Sequence, residues 1–93
     1  MKKNEQKSFV YVFSLRGKKK VYIGKSNDPT GRLKRHIKDA LVKTYDSYFA
    51  RAIRKHGIEN FDFSILNEYH SENAAFEGEE FFVAEFKRNG YKV

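Results

Sequence analysis

The pattern of apolar and polar positions changes its period along the chain, and each change predicts a new element. Residues 9–15 and 21–23 are runs of β-branched and aromatic side chains separated by the polar residues 16–19, a pattern typical of a β-hairpin. A four-residue loop pairs position 15 with position 20. The pairing continued along both strands places Tyr11 opposite Gly24 and Phe13 opposite Tyr22.

Three helices are predicted where apolar residues recur at helical spacing. Asp28-Pro29 supplies a cap followed by proline at the first helical position, and Gly57 and Gly90 are suitable stops for the second and third helices. The predicted spans are about Pro29 to Leu41, from Asp46 or Ser47 to Gly57, and from the cap Ser71 to about Arg88.

A third strand is predicted between the last two helices, where Phe61, Phe63 and Ile65 alternate with polar residues. The element order is therefore ββααβα. This order predicts an α+β fold in which a three-stranded antiparallel sheet is flanked by helices. At 93 residues the chain has room for one domain, residues 1–93, and residues 1–7 are expected to form a flexible basic tail.

The charge of the chain favours a polyanionic partner. Nineteen Lys and Arg against twelve Asp and Glu give a formal net charge of +7, so nucleic acid is the first candidate. The absence of cysteine excludes disulfides and thiolate metal sites. Because no long apolar run is present, neither a signal peptide nor a membrane span is predicted, and an intracellular location is expected.

Glu79 is the most informative polar residue, because it falls inside the apolar stripe of the third helix. An unpaired carboxylate directed at a sheet is costly, so Glu79 needs a partner. It could be a structural carboxylate paired with Arg or Tyr, or a metal ligand. The rest of the stripe is Ala75, Phe76, Phe82, Val83 and Phe86.

Two further pairs of residues are candidates for chemistry. Tyr11 and Tyr22 are expected on one face of the hairpin beside the open space left by Gly24, although strand tyrosines are also ordinary packing residues. Arg32 and His36 lie four residues apart on the first helix and suit a phosphate at its start. A solvated basic face, with His36 as a packing residue, is the alternative.

These residues resemble the signature of the GIY-YIG nuclease family. The family motifs correspond to Phe9-Val10-Tyr11, Val21-Tyr22-Ile23-Gly24 and Gly31-Arg32-Leu33-Lys34-Arg35-His36. The later segments Lys55-His56-Gly57, Phe63-Ser64-Ile65-Leu66 and Glu79-Glu80-Phe81-Phe82 are similar to the catalytic domain of phage intron-type homing endonucleases. The resemblance extends over about residues 8–93, and the ordered set of motifs is more specific than any one of them.

The resemblance implies a metal-dependent DNA endonuclease with the ββααβα fold. Tyr11 and Tyr22 match the tyrosines that position and activate the attacking water, and Arg32 matches the arginine on the scissile phosphate. His36 matches an accessory active-site residue. Glu79 matches the glutamate that binds a single Mg²⁺ or Mn²⁺. Tyrosine is a poor base at its ordinary pKa of about 10, so cationic neighbours must favour its phenolate.

Lys25 and Arg32 are the nearest cationic candidates for that effect. The resemblance also implies DNA as the partner, a phage or bacterial host cell as the location, and a partner or additional domain that supplies sequence specificity. Phosphate contacts are expected from Lys25, Lys34, Arg35, Lys38, Arg51 and Arg54.

The chain departs from the family pattern in two places. Phe9 and Val10 stand where the family name has Gly and Ile, a mild change. Lys92 stands where the family often has an asparagine after a terminal Gly-Tyr, so that role is vacant or Asn89 fills it. The alternative functions are a non-catalytic DNA-binding module that keeps the fold and a structural or protein-interaction domain.

Overall fold

The computed structural model describes residues 7–42 and 48–93. The predicted tail therefore lies outside the described residues except for Lys7, as does the predicted helix cap at Asp46 or Ser47. The order ββααβα is confirmed, with a 3-10 turn between α2 and β3. The elements are β1 (Ser8–Leu15), β2 (Val21–Ser26), α1 (Pro29–Leu41), α2 (Tyr48–His56), the turn (Ile58–Asn60), β3 (Phe61–Tyr69) and α3 (Glu72–Arg88).

The three strands form one antiparallel sheet in the order β2-β1-β3, so β1 is central and β2 is an edge strand. The predicted hairpin register is confirmed, because Tyr11 pairs with Gly24 and Phe13 pairs with Tyr22. Residues that face each other across a ladder share a face of the sheet. The register therefore puts both tyrosines on the same face.

The pairing of β1 with β3 contains an irregularity, beyond which the alternation of β3 side chains between the two faces of the sheet is shifted by one residue. Tyr11 pairs with Ile65, but the next residue of β1, Val10, pairs with Asn67. Leu66 is thus an extra residue, as in a β-bulge. The alternation predicted for β3 weakens towards this point, and Ile65 is 46% exposed.

One face of the sheet carries the main core. Tyr11, Phe13 and Leu15 point from β1 to this face and cluster with Phe49 and Ile53 of α2. Phe13 is only 1% exposed and its ring contacts the rings of Tyr11 and Phe49. The central strand and α2 therefore hold the two signature tyrosines in a packed aromatic cluster.

The other face of the sheet is covered by α3, which contacts all three strands. Ala75 and Gly78 are its buried residues, and a Cβ at Gly78 would lie 2.2 Å from the Tyr69 hydroxyl. The small residues of α3 thus allow the helix to approach the sheet closely. The prediction that Phe76 belongs to the buried stripe is wrong, since Phe76 is 51% exposed. It lies next to Ala75 in sequence and so about 100° around the helix from the contact face.

None of the helices in the described part of the chain is long and apolar enough to cross a membrane.

Replacement of Phe13 by alanine should destabilise the domain strongly, because removal of the buried ring leaves a cavity in the packed core. We expect Phe13→Ala to lower the free energy of unfolding by about 3–5 kcal/mol, measured by urea denaturation. Phe81→Ala is the matched control, since Phe81 is 57% exposed and its loss should change stability by less than about 0.5 kcal/mol. Equal effects of the two variants would contradict the assignment of the core.

Candidate active site

The hydroxyl group of Tyr11 occupies the space beside Gly24. Tyr11 is buried in the central strand and Gly24 faces it from the edge strand. A Cβ built on Gly24 would lie 2.5 Å from the Tyr11 hydroxyl oxygen, much closer than non-bonded atoms approach. A residue with a side chain at this position would therefore displace the Tyr11 hydroxyl.

His36 lies against the same hydroxyl from the side of α1. Its Nε2 is 3.4 Å from the Tyr11 hydroxyl oxygen, and its ring packs edge-on against Phe49 at 4.9 Å between centroids. Burial, followed by the positive charge of Arg32, lowers the pKa of His36 below its ordinary 6.5, and the carboxylate of Asp39 opposes the shift. His36 is therefore neutral at pH 7. With its proton on Nδ1, it accepts a hydrogen bond from the phenol.

Burial has the opposite effect on the tyrosine, because it disfavours the phenolate. The pKa of Tyr11 is raised above 10.0, chiefly by burial, and the charge of Glu79 adds to the rise. Arg32 lowers the Tyr11 pKa, as expected of a cationic neighbour, but burial outweighs it. The charge of Lys25 acts on Glu79. Tyr11 is thus a neutral hydrogen-bond donor beside a neutral imidazole.

The two signature tyrosines line a common cavity of about 280 Å³, which we call the tyrosine pocket. Tyr22 packs its ring against Phe49 at 4.7 Å between centroids, so it combines a packing role with a position in the wall. No motif in the sequence connects Phe49, a residue of α2, with the site. The lining residues are Tyr11, Phe13, Tyr22, Ile23, His36, Phe49 and Val93.

Glu79 lies outside the tyrosine pocket, in a groove of about 370 Å³ that also includes Lys87. Burial raises the pKa of Glu79, the nearby ammonium of Lys25 lowers it, and the adjacent carboxylate of Glu80 raises it further. Because Glu79 also acts on the pKa of Tyr11, the groove and the pocket are electrostatic neighbours. Strand β2, which carries Lys25 and Gly24, forms the edge of the sheet here.

The donor set around Glu79 fits one hydrated cation. Within residues 7–42 and 48–93, no group of three or more His, Asp or Glu side chains could hold a metal ion. Mg²⁺ usually keeps several waters and takes one or two protein carboxylates, with substrate phosphate as a further ligand. Glu79 would be the protein carboxylate of a site of that kind.

Arg32 is exposed in the first turn of α1, where the Asp28 side chain caps the helix through the Gly31 N–H. The charge of Arg32 acts on both Tyr11 and His36. An exposed guanidinium beside the buried Tyr11 and the half-buried His36 suits an anionic ligand that enters from solvent.

The six predicted phosphate contacts do not share one environment. Lys34, Arg35 and Lys38 are exposed along α1, and Arg51 is exposed on α2. In contrast, Lys25 Nζ lies 3.2 Å from a carboxylate oxygen of Glu72. Arg54 donates a hydrogen bond to the Ala40 carbonyl at 3.3 Å, which links α2 to the end of α1. Lys25 and Arg54 therefore also make contacts within the protein.

Asn89 does not reach the tyrosine pocket. Its side-chain amide donates to the Glu85 carbonyl at 2.8 Å, and the residue caps the end of α3. The backbone of Lys92 bonds to the hairpin, with its N–H on the Lys19 carbonyl. Val93 is the residue of the C-terminal segment that lines the tyrosine pocket. The structure therefore gives Asn89 a capping role.

Comparisons with known proteins agree with this geometry. A family model described as the GIY-YIG catalytic domain matches residues 7–92. A solved structure of the catalytic domain of the homing endonuclease I-TevI is 34% identical with a TM-score of 0.73, and the match covers 92% of this chain and 97% of that chain. A second structure is the catalytic domain of intron endonuclease I-TevI with one glutamate replaced by alanine. It has the same identity and TM-score and covers 92% of each chain.

A search of curated proteins finds no match. The match to the family model extends over almost the whole chain, and the three antiparallel strands and three helices are those of the I-TevI catalytic domain. The chain therefore belongs to the GIY-YIG family.

Proposed function

We propose that this protein is a metal-dependent endonuclease that hydrolyses phosphodiester bonds in DNA. The observation that carries the proposal is the convergence of polar groups on one hydroxyl. The Tyr11 hydroxyl lies 3.4 Å from His36 Nε2 and its pKa responds to both Arg32 and Glu79. Membership of the family, with a homing endonuclease catalytic domain among its relatives, supports the same activity.

In the proposed reaction, Tyr11 and His36 act as a proton relay. Because burial raises the pKa of Tyr11, the phenolate is scarce and direct proton removal by it is unfavourable. The phenol can instead take a proton from water while it passes its own proton to the neutral His36. The lowered pKa of His36 keeps the imidazole available as the acceptor. Tyr22 completes the wall of the pocket in which the water is oriented.

Arg32 and Glu79 handle the negative charge of the phosphate. Arg32 is exposed near the phenol, so its guanidinium can contact the phosphoryl oxygens and stabilise the charge that grows on them. Glu79 would hold Mg²⁺ or Mn²⁺, which when bound neutralises phosphate charge and acidifies its water ligands. The nearby Lys25 keeps the glutamate more ionised than burial alone would allow.

Replacement of Glu79 by glutamine should abolish cleavage and leave the fold intact. Gln is isosteric and neutral, and burial already disfavours the charged form of Glu79, so little stability should be lost. We expect supercoiled plasmid to be cut by the wild-type protein with Mg²⁺ or Mn²⁺ and not with chelator. The rate should fall at least about a hundred-fold in Glu79→Gln.

Glu80→Gln is the control, because Glu80 is the adjacent but exposed carboxylate, and it should cleave as the wild type does. Cleavage by Glu79→Gln at the wild-type rate would make Glu79 a structural carboxylate. A wild-type protein that binds DNA and cuts with neither metal would favour the non-catalytic DNA-binding module.

Removal of the Tyr11 hydroxyl should impair the chemical step without unfolding the protein, because phenylalanine keeps the packed ring. We expect Tyr11→Phe to reduce the single-turnover rate at saturating protein by about a hundred-fold, the scale of losing a general acid or base. Tyr69→Phe is the matched control, because Tyr69 lies beside Gly78 of α3 on the other face of the sheet. Near wild-type cleavage by folded Tyr11→Phe would assign Tyr11 to packing alone.

A further inference from the structure

A groove of about 570 Å³ lies beside the tyrosine pocket, between the hairpin loop and α2. We call it the basic groove. No Asp or Glu is among the described residues that line it. Its cationic side chains are Lys18, Lys19, Lys20, Arg51, Lys55 and Lys92.

The concentration of charge in this groove is high compared with the rest of the molecule. Six of the nineteen Lys and Arg residues line the groove. For comparison, the net charge of the whole chain is +7. Five of the twelve acidic residues lie on α3. A groove lined by positively charged side chains attracts polyanions.

The hairpin wall of the basic groove is held in position by the C-terminal segment. Lys92 accepts a backbone hydrogen bond from Val21 at 2.9 Å and donates one to Lys19 at 2.9 Å. The Lys19 ammonium donates to the Asn89 carbonyl at 3.2 Å and lies 5.3 Å from the centre of the Tyr91 ring. The backbone that carries the charges is therefore fixed before a ligand binds, which reduces the entropy lost on binding.

Tyr22 connects the basic groove with the tyrosine pocket, because its side chain lines both. On the groove side, the Lys20 ammonium lies 5.2 Å from the centre of the Tyr22 ring. A strand whose scissile phosphate sits at Arg32 and Tyr11 would reach the groove by passing Tyr22. Neighbouring phosphates of that strand would then meet a row of lysines.

We propose that the basic groove binds the phosphodiester backbone of the DNA next to the scissile phosphate, on the Tyr22 side of the active site. This inference rests on the proposed function, in that DNA is taken as the substrate. The groove contributes affinity for the DNA backbone, whereas the groups around the tyrosine pocket carry out the chemistry. Lys18 of the hairpin loop and Lys55 of α2 are two of the exposed lysines that line it.

The test compares the double variant Lys18→Gln/Lys55→Gln with the wild type. Binding of a fluorescently labelled duplex is measured by anisotropy over a range of NaCl concentrations, with chelator present so that cleavage plays no part. Because each lost phosphate contact makes the log–log salt dependence shallower by about 0.9, we expect the slope of the double variant to fall by about 1.8. The protein concentration that half-saturates its single-turnover cleavage should rise relative to the wild type, because the lost contacts weaken binding.

The matched control is Lys7→Gln/Arg88→Gln, which removes the same two charges outside the groove. These residues pair with Glu68 and Glu85 respectively, and the control should keep the wild-type slope. A wild-type slope in the groove variant, or equal losses in both double variants, would overturn the proposal. So would a wild-type protein that does not bind DNA.

The binding and cleavage measurements separate this inference from the proposed function. If the wild type cleaves DNA and the groove variant keeps the wild-type salt slope, the proposed role of the groove is rejected and the proposed nuclease activity is kept. A reduced slope in the groove variant, with no cleavage by the wild type in any metal, keeps the groove as a DNA site and removes the nuclease.

Discussion

The arrangement of the site depends on the absence of a side chain at Gly24. Tyr11 lies on the central strand, and its hydroxyl comes close to the edge of the sheet only because the facing residue leaves room for it. Once there, the hydroxyl is 3.4 Å from His36 Nε2 and close enough to Arg32 and Glu79 for both to affect its pKa. The hairpin register is a local property, yet it places the Tyr11 hydroxyl where side chains of α1 and α3 affect it.

Burial acts on the two partners in opposite directions and so defines their protonation at neutral pH. It raises the pKa of Tyr11 and lowers that of His36, because it disfavours the charged form of each group. A His36 pKa below 6.5 means that the unfolded chain binds a proton more readily. The stability contributed by neutral His36 is therefore present above pH 6.5 and is lost as the pH falls below it. Acid should weaken the fold and the relay together.

Local features of the sequence were sufficient to predict much of the fold. The loop length determined the partners of Tyr11 and Tyr22, and the Asp28 cap marked the start of α1, which the structure confirms. The buried face of α3 was harder to predict. Sequence patterns weight large apolar residues such as Phe76, whereas the close contact with the sheet is made by Ala75 and Gly78.

The features of the site that depend on tertiary arrangement could not be predicted. The sequence indicated Tyr11, His36 and Glu79 separately, and the family resemblance grouped them. The contact between Tyr11 and His36, and the separation of Glu79 from the tyrosine pocket, depend on how α1 and α3 are set against the sheet. The basic groove joins Lys18 and Lys55 from segments far apart in sequence, so no single motif contains it.

The most direct test of the account is a double-mutant cycle of single-turnover cleavage with Gly24→Ala, Tyr11→Phe and the combined variant. The new methyl group would lie where the Tyr11 hydroxyl now sits, so Gly24→Ala should displace the hydroxyl. Its rate should fall towards that of Tyr11→Phe, while a thermal melt shows a folded protein and anisotropy shows retained DNA binding. Because both changes act through one oxygen atom, the combined variant should lose far less than the product of the single losses. A folded Gly24→Ala protein that cleaves DNA at the wild-type rate would contradict the claim that the position of this hydroxyl controls the reaction.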